Sequence, residues 1–267
     1  MSDPRYQQLF HYADHVTPYL RGELFDGELV QAPLGDDWLL SEHNNQELLQ
    51  DIYAKLQLSH PEAGHAYWLN RTWTLLIWQP VYVSFISIYG VHALPSMSTI
   101  AQQWRGDANF VAGFTLQDAP MHDGSPEELI QIAANELLPL FERYRIQLDE
   151  KIRIRPGFTQ HLLADLLVMA LLRLQDLHKD LPQEYIPQHA KRWLEAFGLS
   201  TKAMDSLHYD LVVNKWHYVR TTCCMVYRCD DRDLCANCPR QPNDSLAKGS
   251  AVVDFFHRQL NDVAHSL

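Results

Sequence analysis

The stretch "TTCCMVYRCDDRDLCANCPR", Thr221 to Arg240, contains all five cysteines of a 267-residue chain. Everything before Cys223 is free of them, so the crowding calls for a chemical reason. Disulfides are dense in small secreted domains that lack enough core, whereas this chain is long and 46% hydrophobic. It has no shortage of core. The opening "MSDPRYQQLFHYADHV" has no basic segment leading into an apolar one, so the expected location is the cytoplasm, where thiols stay reduced. Clustered cysteines there read as metal-binding or catalytic, and an odd count fits disulfide pairing poorly.

Cys223, Cys224, Cys235 and Cys238 spell C-C-x10-C-x2-C, with Cys229 left over inside the loop. Two residues between cysteines let one turn bring both sulfurs to a metal. The vicinal pair is less usual. Neighbouring Cα atoms are about 3.8 Å apart and successive strand side chains diverge. Either the backbone leaves strand geometry there, or each sulfur reaches a different metal ion. Three readings stand at this point: inert buried thiols, a structural four-cysteine zinc knuckle on a non-enzymatic helical binding module, and an iron–sulfur centre. Four thiolates suffice for the last, and a diiron rhomb accepts more varied spacing than a single tetrahedral ion.

An arginine just before the vicinal pair, the Tyr227-Arg228 pair after it and the C-x2-C ten residues on resemble the signature of the FhuF family of ferric-siderophore reductases. The resemblance implies a [2Fe–2S] cluster on Cys223, Cys224, Cys235 and Cys238. It implies an oxidoreductase that passes one electron to chelated Fe(III), so that Fe(II) leaves the siderophore. No Gly-rich dinucleotide fingerprint opens a helix anywhere, so the electron is expected from an external donor such as a ferredoxin or flavodoxin. Arg220, Arg228, Arg232 and Arg240 interrupt an acidic protein of formal charge −11. They either orient an acidic donor or pair with Asp230, Asp231 and Asp233 as a solvated rim. The net negative charge favours an oxidised, less negative cluster and so a low potential.

The same charge, without a basic patch, argues against nucleic acid. The apolar run from Leu75 to Pro95 is broken by Gln79-Pro80, two serines and a histidine, so a buried helix kinked at Pro80 is expected and no integral membrane span. Helices are predicted over Ser41–Ser59 with Ser41 as cap, from Ser125 with Pro126 at the first position and Glu128 completing a box, through the apolar "FTQHLLADLLVMALLRLQDLHK", and through "PQHAKRWLEAFGLS" up to Gly198. Hairpins are predicted around Gly106-Asp107 and, with Asn214-Lys215 as the turn, between "DLVV" and "WHYVRTT". The sum is a predominantly helical α+β fold with small antiparallel hairpins, read as one unit over residues 1–267. Within it, residues 209–240 carry the hairpin and cysteine motif, and 250–267 a C-terminal helix. Trp68, Trp73, Trp78 and Trp104 are expected in core packing. The His11/His15 pair lacks a carboxylate partner, and His60 and His65 flank Pro61 as loop residues.

Overall fold

The computed structural model describes residues 2–178 and 181–241, and the helix expected over 250–267 lies outside them. The chain forms two compact units, each drawn from two stretches of sequence. One takes the residues up to Lys55 and Thr72–Arg155; the other takes Leu56–Arg71 and the described residues from Pro156 onward.

The elements up to Arg155 run α1 (Arg5–Val16), β1 (Gly22–Phe25), β2 (Trp38–Leu39), α2 (Gln46–Ser59), α3 (His65–Ile86), β3 (Ala93–Leu94), β4 (Ala101–Arg105), β5 (Phe110–Gln117), β6 (His122–Asp123) and α4 (Pro126–Asp149). β4 and β5 make the expected hairpin. β1 then joins β5 in parallel, giving a sheet of order β1-β5-β4-β2. A parallel neighbour needs a long crossover, so no local turn signal announces it. Gly22 sits where a Cβ would run into the rings of Phe10 and Phe114, which fixes glycine at that edge. Glu128 and Ser125 close a full capping box on α4, with Pro126 at the first helical position.

α2 starts later than the pattern suggests. Its first residue is Gln46, whose N–H is accepted by the Asn44 side chain, while Ser41 offers its backbone carbonyl to Arg143. The asparagines outcompete the serine because Asn45 also folds back onto Leu40, making two hydrogen bonds to its backbone. α3 passes through Pro80 without stopping. Proline lacks the N–H that would bond Leu76 four residues back, and Gln102 replaces it, its Nε2 donating to the Leu76 carbonyl at 2.9 Å. Gln102 is fully buried to do so.

In the second unit, residues 56–71 bring a tight turn at His60–Gly64. It is followed by α5 (Pro156–Leu172), α6 (Leu174–Leu177), α7 (Tyr185–Ala196), β7 (Leu207–Asp210) and β8 (Lys215–Tyr218). α5 is buried without interruption from Leu162 to Leu172, as its all-round apolarity predicts, and packs against α7 and β8. The β7/β8 hairpin has a longer tip than predicted. The strand ends at Asp210 and "LVV" is turn: Asp210 Oδ1 accepts the N–H groups of Val212 and Val213, and Asn214 takes a left-handed φ of 55°. That local turn chemistry leaves Leu211 and Val212 84% and 93% exposed.

Trp73, Trp78 and Trp104 are buried as expected, and Trp68 half-buried. His65–Val91 and Pro156–Leu177 are long and apolar enough to cross a membrane, yet 83% and 72% of their most apolar windows are buried inside the protein. The fold is thus predominantly helical α+β with small sheets. Replacing Gln102→Leu strands the Leu76 carbonyl; an equilibrium denaturation curve is expected to show a loss of about 1–3 kcal/mol.

Candidate metal centre

The cysteine segment begins where β8 ends, and a buried carboxylate fixes that beginning. Asp165, in the middle of α5, is 2% exposed and accepts five hydrogen bonds. Its Oδ1 takes the Tyr218 hydroxyl at 2.6 Å, the Thr221 N–H at 2.8 Å and the Thr221 hydroxyl at 2.9 Å. Its Oδ2 takes the Thr222 N–H at 2.8 Å and the Thr222 hydroxyl. Two consecutive residues therefore offer both backbone and side-chain donors to one carboxylate, immediately before Cys223. The far side of the segment is tied by the Arg220 N–H to the Asn237 carbonyl at 3.0 Å and by Asn70 Nδ2 to the Cys223 carbonyl at 3.1 Å.

After Cys224 the backbone turns through Met225, at φ 62° and ψ 11°, into a 3-10 turn over Val226–Arg228. This left-handed step turns the chain sharply directly after the vicinal pair. Cys235 and Cys238 are joined by a tight turn, the Cys238 N–H donating to the Cys235 carbonyl at 3.0 Å. The four sulfurs meet as two pairs, Cys223 with Cys238 at 3.7 Å and Cys224 with Cys235 at 3.3 Å. Each member of the vicinal pair thus faces a different member of the C-x2-C knuckle. A single tetrahedral zinc with bonds of about 2.3 Å asks instead that every sulfur stand about 3.8 Å from all the others. Among the described residues, the group whose ligand atoms all fall within 4.8 Å of one another is a different one, His60, Glu62 and Cys229. The pairwise grouping of the quartet suits a two-metal centre.

Charge at the quartet is set locally. Arg220 is buried, and its Nη2 donates to Cys224 Sγ at 3.3 Å. Burial works against its charge, but the Cys224 and Cys235 sulfurs and Asp165 outweigh that and keep it protonated. Cys224 and Cys235 are hydrogen-bonded sulfur to sulfur. The hydrogen bond from Cys235, helped by Arg220, pulls Cys224 down to about 5, while Cys235 is pushed up by that hydrogen bond and by burial. A thiolate is the metal-binding form, so the pair is poised for a cation. Cys238 and Cys224 are buried, and Cys223 and Cys235 half-buried.

Residues 220–240 match the family model of the FhuF 2Fe-2S C-terminal domain. This is the family whose signature the cysteine spacing resembles. No solved structure matches the chain. The FhuF-type segment takes in Arg220, both cysteine pairs and the Tyr227-Arg228 dipeptide. Its extra thiol, Cys229, belongs to neither sulfur pair. It packs against Ala63 and Tyr67, and burial pushes it up to about 11. Of the four arginines, Arg220 is no rim residue but an interior cation, and Arg240 lies over the Tyr227 ring at 5.4 Å. His15 Nδ1 engages the His11 carbonyl of its own helix at 2.8 Å.

The residue that sequence reading passed over is Asp165. A lone acid inside "HLLADLLVMALL" on a helix with no polar face is the signal that would have marked it, since a buried carboxylate demands donors. Asp165→Asn turns one acceptor oxygen into a donor facing the Thr222 donors. A loss of about 3 kcal/mol in denaturation is expected. Thr221→Val should cost only about 1 kcal/mol in the same assay.

Proposed function

We propose that Cys223, Cys224, Cys235 and Cys238 hold a [2Fe–2S] cluster and that the protein is a cytoplasmic ferric-siderophore reductase. The carrying observation is the pairing of each vicinal sulfur with one sulfur of the knuckle, at 3.7 and 3.3 Å. The match of residues 220–240 to the FhuF 2Fe-2S domain supports it. A cluster bound there supplies a one-electron carrier.

The chain's own residues supply the rest. Asp165 and the two threonines pin the approach to the vicinal pair, so that Cys223 and Cys224 are presented apart and not side by side. Arg220 offsets part of the thiolate charge. The half-buried Cys223 and Cys235 leave a route for electrons to enter and leave. In the proposed reaction an external donor of the ferredoxin or flavodoxin class gives up one electron, and Fe(III) in the siderophore takes it. The Fe(II) formed binds hard oxygen ligands less strongly because its charge is smaller, and it leaves the chelate. Arg228 and Arg232 are the surface cations that would meet an acidic donor.

Protein purified without air should be red-brown, bleach with dithionite, and contain iron and inorganic sulfide in equal amounts. A colourless preparation carrying zinc would falsify the assignment and favour a structural knuckle. Serine at any of the four positions should reduce the colour, and Cys229→Ser should keep it. Arg220→Gln removes a charge-assisted bond to sulfur. If that bond strengthens by about 1 kcal/mol on reduction, the midpoint potential falls by on the order of 50 mV in a redox titration. Reversing Arg228 and Arg232 together should slow reduction by a donor at low salt; an unchanged rate would remove them from the docking surface.

A further inference from the structure

The fifth cysteine stands in a constellation that the proposed reductase chemistry does not use. His60 and Glu62 lie on the tight turn that follows α2, and Cys229 on the loop between the two cysteine pairs. The ligand atoms of all three fall within 4.8 Å of one another. Glu62 is placed by the Asp230 N–H, which donates to its Oε1 at 3.2 Å, and the same oxygen lies 3.6 Å from His60 Nδ1. The turn itself is held by Trp68, whose indole N–H donates to the His60 carbonyl at 2.8 Å, and by the Ala63 N–H to the same carbonyl at 3.2 Å. Tyr67 completes the surround: its hydroxyl bonds the Cys229 side chain and its ring stands edge-on to His60 at 5.6 Å.

We propose that His60, Glu62 and Cys229 form a binding site for a borderline divalent cation of the zinc type, separate from the cysteine quartet. The donor set is one imidazole nitrogen, one carboxylate oxygen and one sulfur, the three ligand types zinc accepts. Bonds of about 2.0–2.3 Å draw such atoms to roughly 3.5 Å from each other, a closure that side-chain rotation of two partly exposed residues can supply. Three protein ligands leave a fourth position, and the side formed by His60 and Glu62 is open to water, the arrangement of an exchangeable site. Cys229 is buried at the back, 4% exposed, so its sulfur is shielded. The thiolate and carboxylate cancel the ion's two charges, and Arg71 and Arg232, which both act on His60, then face a neutral centre. Tyr67 and the Asp230 N–H are the outer-shell partners that orient sulfur and carboxylate. Nitrogen, oxygen and sulfur together favour Zn2+ over Fe2+ in the usual order of divalent affinities.

The test is titration of full-length, anaerobically purified protein with Zn2+ by calorimetry, beside Cys229→Ser, His60→Gln and Glu62→Gln. All three variants keep the quartet, so whatever the quartet binds is common to every sample. Beyond any event at the quartet that all samples share, one saturable zinc event is expected in the parent protein, weakened at least about tenfold in Cys229→Ser and His60→Gln, a loss that outer-shell changes alone already reach at such sites. Co2+ gives a second readout: the parent protein should show a sulfur-to-cobalt absorption beyond that of Cys229→Ser, in which any band from the quartet remains. Tyr67→Phe should weaken binding less than ligand removal. No event beyond the one shared with Cys229→Ser, or the same affinities and cobalt spectrum in all variants, overturns the proposal, and because each comparison is between samples with the same quartet, neither outcome depends on what the quartet holds.

Discussion

A carboxylate in the middle of an apolar helix is the constraint on which the cysteine segment rests. Asp165 loses its hydration when α5 is buried, and that cost is offset only because every lone-pair direction finds a donor. The donors come from one short stretch of chain, Tyr218 to Thr222. The segment is thereby attached to the core helix, not merely laid against it. With Asn237 donating to Met169 of the same helix at 3.2 Å, both cysteine pairs are referenced to one rigid element. The sulfur geometry follows from that shared reference more than from any preference of the loop itself.

Charge at the quartet illustrates how proximity outranks totals. The chain's formal charge of −11 would push an electron acceptor toward lower potential. Surface charges more than about 10 Å away are largely screened at ordinary salt, however. A buried unit charge some 4 Å distant is worth about 4 kcal/mol at an effective dielectric near 20. Arg220, in contact with Cys224 and out of water, therefore offsets much of what the distant acids do. An expectation drawn from composition alone has the right sign for the surface and omits the interior cation.

What the sequence made legible was what local chemistry controls. Ser125, Pro126 and Glu128 specified a helix start, the unbroken apolar run specified α5, Gly106-Asp107 specified a hairpin, and the cysteine spacing singled out four sulfurs that come together within a segment matching a known domain. Where two local options competed, the reading slipped. Ser41 yielded to Asn44 and Asn45 at the start of α2, and the β-prone "LVV" yielded to the Asp210 and Asn214 turn. Long-range relations were out of reach altogether. The parallel pairing of β1 with β5, the donors gathered by Asp165 and the meeting of Glu62 with the Cys229 loop all join residues dozens of positions apart or more.

Met225 carries a consequence of its own. At φ 62° it occupies a conformation that costs most L-residues energy and β-branched ones more. What matters at that point of the chain is backbone handedness, while the thioether itself is only half-buried. A glycine or an asparagine would sit there without complaint, a valine would fight the turn, and a mirror-image residue introduced by chemical synthesis would be more at ease than the natural one. The path the chain takes out of the vicinal pair thus depends on a stereochemical hinge that a comparison of side-chain types would pass over.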